Sequence, residues 1–291
     1  MVQARRAGVL FGLAVCAAVA VASVGCSQPK EAALQALVAP PAVATAGTLR
    51  AGIDLDYPPF GGTDNGQQAG IDLDVSAALA EKLGLTLTVV KVQPSNAATE
   101  LASGTVDIVL SVPFSAEGLS NVTLAGSYAS SAPAFFVATE GTASAPATMT
   151  LADLPVSPAK VGVQKGSPAY WKLARELGAD AVKTYPTLRE ALDALAAGDV
   201  SVVAGDAMVG AYIARDYPTV RFAGQMAAAT LLGAAVVPDN TALVDATREA
   251  LDGLAADGVL AAIRSKWVGD LPKLKVAASA ATSETGGAST P

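Results

Sequence analysis

The 291-residue chain contains no histidine, and its two cysteines are Cys16 and Cys26. Without histidine it lacks the usual general base near neutral pH and the commonest nitrogen ligand of metals. Cys16 lies in an N-terminal apolar stretch that we expect to be removed, so no disulfide and no thiol nucleophile would remain. These absences count against most enzyme chemistry, and we predict neither a cofactor nor a metal site.

Basic residues are also scarce, with 19 lysines and arginines against 26 aspartates and glutamates. A protein that binds nucleic acid needs a basic surface to neutralise phosphates, and no basic cluster is visible. We therefore exclude a nucleic-acid partner. The hydrophobic content of 52% is enough for one large or two medium domains with substantial cores.

The N-terminus has the pattern of a secretory signal. Two arginines precede an apolar stretch over 8–21, which is too short for a comfortable membrane span. We predict a signal peptide over 1–25. Its ending, Ser23-Val24-Gly25-Cys26, resembles the lipobox of bacterial lipoproteins, in which the signal is cut before an acylated cysteine. A plain secretory signal cut near Ala22 is the alternative.

Polar and small residues dominate the sequence on both sides of the expected folded part. We predict a lipidated Cys26 followed by a flexible tether, together covering 26–47, and a disordered tail over 273–291. Several acyl chains would give stable anchoring on the extracytoplasmic face of the cell membrane.

Two segments of the chain repeat one pattern, Leu101 to Val109 and Leu195 to Val203. Each combines the end of an amphipathic helix, a glycine that can adopt the left-handed stop, and a β-branched run typical of a buried parallel strand. A helix feeding a strand is half of a βαβ unit. The repetition predicts two similar α/β lobes with a cleft between them.

We predict an α/β fold of two Rossmann-like lobes joined by a two-strand hinge. Lobe 1 is expected to cover 48–137 and 233–272, and lobe 2 to cover 138–232. In parallel sheets the loops that follow the strands lie at the carboxyl edge, where such folds bind ligands.

Several short motifs, in this order and spacing, are similar to those of one family: Tyr57-Pro58-Pro59-Phe60, Gly70-Ile71-Asp72-Leu73-Asp74, Gly104-Thr105-Val106-Asp107, Leu151-Ala152-Asp153-Leu154 and Lys266-Trp267. The chain resembles the bacterial extracellular solute-binding proteins of family 3, the amino-acid-capturing subunits of ABC importers. The resemblance covers about 48–268. It implies a periplasmic-binding-protein type II-like fold whose lobes close over one solute.

The resemblance also implies a set of ligand-binding residues. Tyr57 and Phe60 would stack on the solute, Asp206 would receive its cationic group, and Ser167 would donate to an anionic group. Asp56, in the same first loop as the two aromatic residues, would also be a ligand-binding residue and would add negative charge to the site. Helix capping by Asp206, core packing of the aromatic residues and a solvated Asp56 are the alternatives.

The family's carboxylate-binding arginine is missing, because Gly118 stands at its position. Ser111 and Ser115 are the hydroxyls left beside that position. With Asp206 kept and the arginine absent, the site has a negative balance, which favours an amine or cationic solute over a zwitterion.

The sequence therefore predicts a non-enzymatic, monomeric, lipid-anchored solute-binding subunit of an ABC importer. Its partners would be a small polar solute, amino acid-like or cationic, and a membrane permease. Two alternatives stay open: a degenerate receptor that signals or contacts a partner, and a secreted dehydratase-like enzyme on the same fold.

Overall fold

The structure is a computed structural model, and it describes residues 35–114, 121–140, 148–154 and 160–276. The predicted signal peptide and Cys26, Ser115 and Gly118 lie outside the described residues. Within those residues no helix is long and apolar enough to cross a membrane.

The strands in chain order are β1 (Thr48–Ile53), β2 (Gly62–Asp64), β3 (Gln67–Ala69), β4 (Thr86–Lys91), β5 (Ile108–Pro113), β6 (Thr123–Ser131), β7 (Pro133–Ala138), β8 (Val161–Gln164), β9 (Lys183–Tyr185), β10 (Val202–Asp206), β11 (Val220–Gln225) and β12 (Thr230–Val236). The helices are α1 (Ile71–Lys82), α2 (Ala97–Ala102), α3 (Pro168–Leu177), α4 (Leu188–Ala196), α5 (Ala207–Ala214), α6 (Thr241–Ala256) and α7 (Val259–Val268).

Lobe 1 is built on a five-stranded sheet in the order β4-β1-β5-β12-β6. β1 pairs in parallel with β4 and β5, and β12 runs antiparallel to β5 and β6. The parallel strands are joined by helices because a parallel connection must cross over the sheet. Leu49, Ala51 and Ile53 of β1 are fully buried.

Lobe 2 repeats this plan with a sheet in the order β11-β7-β10-β8-β9. β8 lies between β9 and β10 and is parallel to both. β7 runs antiparallel to both of its neighbours, β10 and β11. Gly104 before β5 and Gly198 before β10 have φ angles of 70° and 80°. The predicted repeat of helix, left-handed glycine and strand is therefore confirmed in both lobes.

The chain passes between the two sheets at two crossings, from Ser131 to Pro133 and from Gln225 to Thr230. These positions precede the boundaries at 137/138 and 232/233 that the sequence predicted. Phe135 and Phe136 of β7 are fully buried and pair with β10, so β7 belongs to lobe 2. Neither crossing contains a glycine or a charged residue that would mark a domain boundary in the sequence, and the pairing partners of the strands reveal both crossings.

The described ends of the chain pack on the lobes. Val43 is fully buried, and the Leu37 amide donates to the carbonyl of Leu83 at 2.9 Å. At the other end the Ala229 amide donates to the carbonyl of Lys275 at 2.8 Å. Residues 37–47 of the predicted tether and 273–276 of the predicted tail are thus ordered parts of the fold, because they bury apolar side chains and pair backbone groups.

Candidate functional site

A cavity of about 130 Å³ brings residues of the two lobes together. Tyr57, in the loop that follows β1, comes from lobe 1, whereas Ser167 and Asp206 come from lobe 2. We call this cavity the cleft; its lining consists of Tyr57, Pro133, Gln164, Ser167, Pro168, Ala169, Leu188, Gly205, Asp206 and Val209. It lies at the carboxyl ends of strands, as predicted for an α/β fold.

A larger cavity of about 690 Å³ lies elsewhere, against the N-terminal segment and the start of α6. Two charged residues in its lining, Arg50 and Asp107, form an ion pair with each other at 2.8 Å. This cavity does not connect the lobes, and we assign the functional site to the cleft, where the predicted residues meet.

Tyr57 is presented to the cleft by the ring beneath it. The rings of Tyr57 and Phe60 stack with centroids 5.8 Å apart and planes 6° apart. Phe60 is 2% exposed and belongs to the core, whereas Tyr57 is 48% exposed. The structure therefore places Phe60 behind Tyr57 as its support.

The electrostatic surroundings of Tyr57 include a charge from the opposite lobe. Although the residue as a whole is half exposed, burial of its hydroxyl, together with the charges of Asp206 and Asp54, raises the pKa of Tyr57 to about 12. Tyr57 thus keeps its proton at physiological pH, and its hydroxyl can donate as well as accept.

Asp206 ends β10 and caps the N-terminus of α5. Its Oδ1 accepts hydrogen bonds from the amides of Met208 at 2.9 Å and Val209 at 3.0 Å. Ser131 donates to Oδ2 at 2.5 Å. Burial raises the pKa of Asp206, and these three donors oppose the shift. Asp206 therefore both caps α5 and lines the cleft, so the two roles are not alternatives.

Ser167 caps the N-terminus of α3 and lines the cleft. Its hydroxyl oxygen accepts the amide of Tyr170 at 3.1 Å, so its own proton remains to donate to a solute. Gln164, at the end of β8, is a cleft residue that the sequence prediction missed. Its position directly after a buried strand was the available signal. Lys165, the next residue, is outside the cleft lining that the described residues form.

Asp56, Phe60 and Ser111 are described residues that lie outside this lining. Asp56 forms an exposed ion pair with Lys91 at 2.5 Å, so its charge is satisfied at the surface. Ser111 is half-buried on β5, where it joins a hydrogen-bonded group of lobe 1.

That group centres on Asp72, which the sequence prediction did not assign to the site. Asp72 is fully buried, and its Oδ1 accepts hydrogen bonds from Tyr128 at 2.7 Å and Ser111 at 2.9 Å. Burial and the charge of Asp54 raise the pKa of Asp72 to about 7, against the effect of these hydrogen bonds. The signal in the sequence was an aspartate directly after Ile71 at the buried start of a helix.

Metal ligands do not gather in the part of the chain that the structure describes, where no group of three or more histidine, cysteine, aspartate or glutamate residues could hold an ion. The cleft combines instead one aromatic ring, one carboxylate and polar groups that can donate. Such a set can hold a small amine by charge and by ring contact.

Residues 49–270 match the profile of the bacterial extracellular solute-binding proteins, family 3. The chain belongs to this family. The match spans both lobes, so the family's two-lobed fold and its solute-binding character apply to the folded part of this protein. Comparison with curated proteins found no significant match.

Solved structures of similar fold include an ancestral cationic amino acid solute-binding protein, 26% identical over 76% of this chain and 96% of its own, with a TM-score of 0.63. The L-cystine solute receptor of Neisseria gonorrhoeae is 22% identical over 77% and 94%, with a TM-score of 0.63, and shares the fold. A histidine kinase sensor domain is 28% identical over 78% and 98%, with a TM-score of 0.54.

Proposed function

We propose that this family 3 protein is a receptor that closes on a small solute carrying a cationic amine, such as an amino acid. The observation that carries the proposal is that Tyr57 of lobe 1 and Asp206 of lobe 2 line one cleft. The similarity to an ancestral cationic amino acid solute-binding protein supports the same class of solute.

The chemistry of the cleft supports particular roles for its residues. The carboxylate of Asp206 would accept hydrogen bonds from the amine, and the exposed face of Tyr57 would contact the cation or the solute's apolar part. Ser167 would donate its proton to an acceptor group of the solute at the N-terminus of α3. The carboxylate of an amino acid would thus have a hydrogen-bond donor in Ser167.

Closure follows from the placement of these residues on different lobes. A solute that contacts both Tyr57 and Asp206 interacts better with the closed arrangement than with an open one, and it therefore shifts the equilibrium toward closure. The crossings at 131–133 and 225–230 would act as the hinge.

The cellular setting that we propose is an extracytoplasmic receptor, monomeric and anchored through acylated Cys26, that delivers its solute to an ABC permease. The family supports the extracellular placement. A sensory role is a second candidate because a histidine kinase sensor domain is among the similar structures. A permease gene beside this one would favour transport, and an isolated gene would favour sensing.

The test is a thermal-shift screen on the proposed mature chain without its lipid, residues 27–291, refolded to remove bound solute. The panel contains amino acids, polyamines, quaternary amines and organic acids. A ligand at a hundred times its Kd stabilises the folded state by about 2.7 kcal/mol, which is easily detected. We expect shifts with amines. Shifts with organic acids alone would overturn the cationic class, and no shift at all would overturn the receptor function.

A further inference from the structure

Asp72 is a buried carboxylate with one oxygen in use and one without a partner. The Tyr128 and Ser111 hydroxyls bond to Oδ1, whereas Oδ2 has no hydrogen-bond partner among the described residues. A buried carboxylate oxygen without a donor is costly, and a purely structural position would be filled more cheaply by an apolar residue. The buried charge at this place therefore points to a functional role.

The direction of the protons in this group follows from the chemistry of each atom. A carboxylate oxygen can only accept, so Tyr128 and Ser111 both donate their single hydroxyl proton to Asp72. The Tyr128 oxygen in turn accepts the Ser111 amide at 2.6 Å. The hydroxyl oxygen of Ser111 is left with lone pairs only, and it can accept but not donate a further hydrogen bond.

The backbone of Ser111 fixes this orientation. Its φ angle is 55°, in the left-handed region that a residue with a side chain adopts only with strain. Asp72 and Tyr128 together hold both the hydroxyl and the amide of Ser111. The strained residue therefore presents one defined set of lone pairs.

Ser111 lies at the edge of lobe 1 that carries Tyr57. β1 and β5 are parallel, with Ala51 opposite Ile108. Asp54 lies three residues after Ala51, and Ser111 lies three residues after Ile108. Asp54 follows β1 three residues before Tyr57, and burial, together with the charge of Asp54, raises the pKa of both Tyr57 and Asp72. Lobe 1 thus offers acceptors and negative charge at this edge. Ser111 is half-buried there, outside the lining of the cleft, so a solute would meet it by extending from the cleft along this edge, whereas Asp72 is fully covered.

We propose that Asp72 is a positioning residue for specificity: by taking the Ser111 proton it makes Ser111 a hydrogen-bond acceptor that selects a cationic N–H group of the solute. This inference rests on the proposed receptor function and deepens it. Asp72 itself does not touch the solute, because its side chain is fully buried. Its charge would act through Ser111.

The experiment compares two probes of nearly equal shape, L-arginine and L-citrulline, which differ in the charge of the side-chain end group. Calorimetric Kd values are measured at pH 8, where Asp72 is ionised, for the parent protein, Asp72→Leu and Ser111→Ala. Leucine has nearly the shape of aspartate but no oxygen that could accept the Ser111 proton. We expect the parent to prefer L-arginine. Each substitution should reduce that preference about tenfold, which corresponds to about 1.4 kcal/mol.

Asp74→Leu is the matched control. Asp74 lies on the same helix and also accepts two hydrogen bonds, from Lys266 at 2.7 Å and Trp267 at 2.6 Å. Its loss perturbs α1 without reaching Ser111, so the preference for L-arginine should stay unchanged. A general folding defect would weaken both probes equally, and thermal unfolding of each variant identifies such a defect. Ser111→Ala, a small change, keeps the test valid if Asp72→Leu does not fold.

Three results would overturn the inference. An unchanged preference in folded Asp72→Leu and Ser111→Ala would show that the network does not set specificity. A parent protein that binds L-citrulline or L-glutamate more tightly than L-arginine would refute the selection of a cation while leaving the receptor function intact. A parent that binds no amino acid and no other amine would refute the proposed function as well.

Discussion

Arg50 and Asp107 form a two-pronged ion pair, with Nη2 2.8 Å from Oδ1 and Nε 3.2 Å from Oδ2. Asp107 also accepts the backbone amides of Arg50 and Ala44. Burial opposes ionisation of Asp107, but the side-chain and backbone bonds of Arg50, with that of Ala44, lower its pKa. One carboxylate thus joins β1, the segment before it and the turn that precedes β5.

Asp107→Ala is expected to lower the free energy of unfolding by about 3 kcal/mol, because it leaves Arg50 and two amides without their acceptor. Urea unfolding measures the loss. Asp257→Ala is the control, since its pair with Lys82 is exposed on both sides and contributes less than about 1 kcal/mol. Equal losses in the two variants would contradict the assigned role of Asp107.

The raised pKa of Asp72 predicts how stability depends on pH. The folded-state value of about 7 lies above the ordinary value of 3.8, so the folded protein binds the proton more tightly than the unfolded chain. The stabilisation is complete below about pH 4 and is lost as the pH rises to 7, by up to about 4 kcal/mol at 1.36 kcal/mol per pKa unit.

Urea unfolding of the parent and of Asp72→Asn between pH 4 and 7.5 checks this dependence. Asp206 shifts in the same direction and remains in both proteins, so the difference between the two curves reports Asp72. That difference should change steadily over this range. Parallel curves would show that Asp72 does not titrate there.

Substitution of Asp206 separates helix capping from solute binding. Asp206→Asn keeps an oxygen for the amides of Met208 and Val209, and Ser131 can turn its proton to accept from the new amide group. We expect unchanged stability and a loss of amine binding. Asp206→Ala should also lower stability by about 1 kcal/mol through loss of the cap. Amine binding that survives in Asp206→Asn would rule out the carboxylate as the cation's partner.

Truncation tests the ordered part of the C-terminal segment. Lys275 exchanges two hydrogen bonds with the Gln225 side chain and accepts one from the Ala229 amide. A chain that ends at Pro272 should be about 2 kcal/mol less stable than one that ends at Val276, because it lacks these three bonds. Equal melting temperatures of the two truncated chains would contradict the prediction.

Two helical glycines should respond to alanine in opposite directions. A Cβ at Gly253 would meet only the end of Lys82, at 3.8 Å, so Gly253→Ala should stabilise α6 by about 1 kcal/mol. A Cβ at Gly210 would lie 2.3 Å from ring carbons of Phe136, and Gly210→Ala should destabilise the protein by about 1–3 kcal/mol. Thermal unfolding distinguishes the two, and a stabilising Gly210→Ala would contradict the packing.

Local patterns predicted much of the fold. The helix, glycine and strand repeat depends on neighbouring residues, and so does the cap of α4, where Thr187 accepts the Glu190 amide at 3.1 Å. The crossings depend on which strands pair, which a run of apolar residues such as Phe135-Phe136 does not reveal. The packed ends were missed for the same reason, because Val43 is buried only by distant parts of the chain.

Some residues of the candidate site can likewise be recognised from local sequence patterns, and others cannot. Tyr57, Ser167 and Asp206 follow strands or begin helices, and these positions can be recognised in the sequence; the structure brings them to one cleft. The hydrogen-bonded group of Asp72, Ser111 and Tyr128 joins residues that are up to 56 positions apart. The sequence around Tyr128 does not predict this contact. Gly118 and Ser115 lie outside the described residues, so their predicted roles stay predictions.

The hydrogen bond from Ser131 to Asp206 joins two tasks that are usually assigned to different parts of a receptor. Ser131 is the last residue of β6, directly before the chain crosses to lobe 2, and Asp206 faces the cleft. Under the proposed function, a cation that arrives at the carboxylate would also act on the acceptor of Ser131 at the first crossing. Solute recognition and the motion of the lobes would then share one pair of atoms, and a mutation that changes how tightly the solute is held would also change how readily the lobes move.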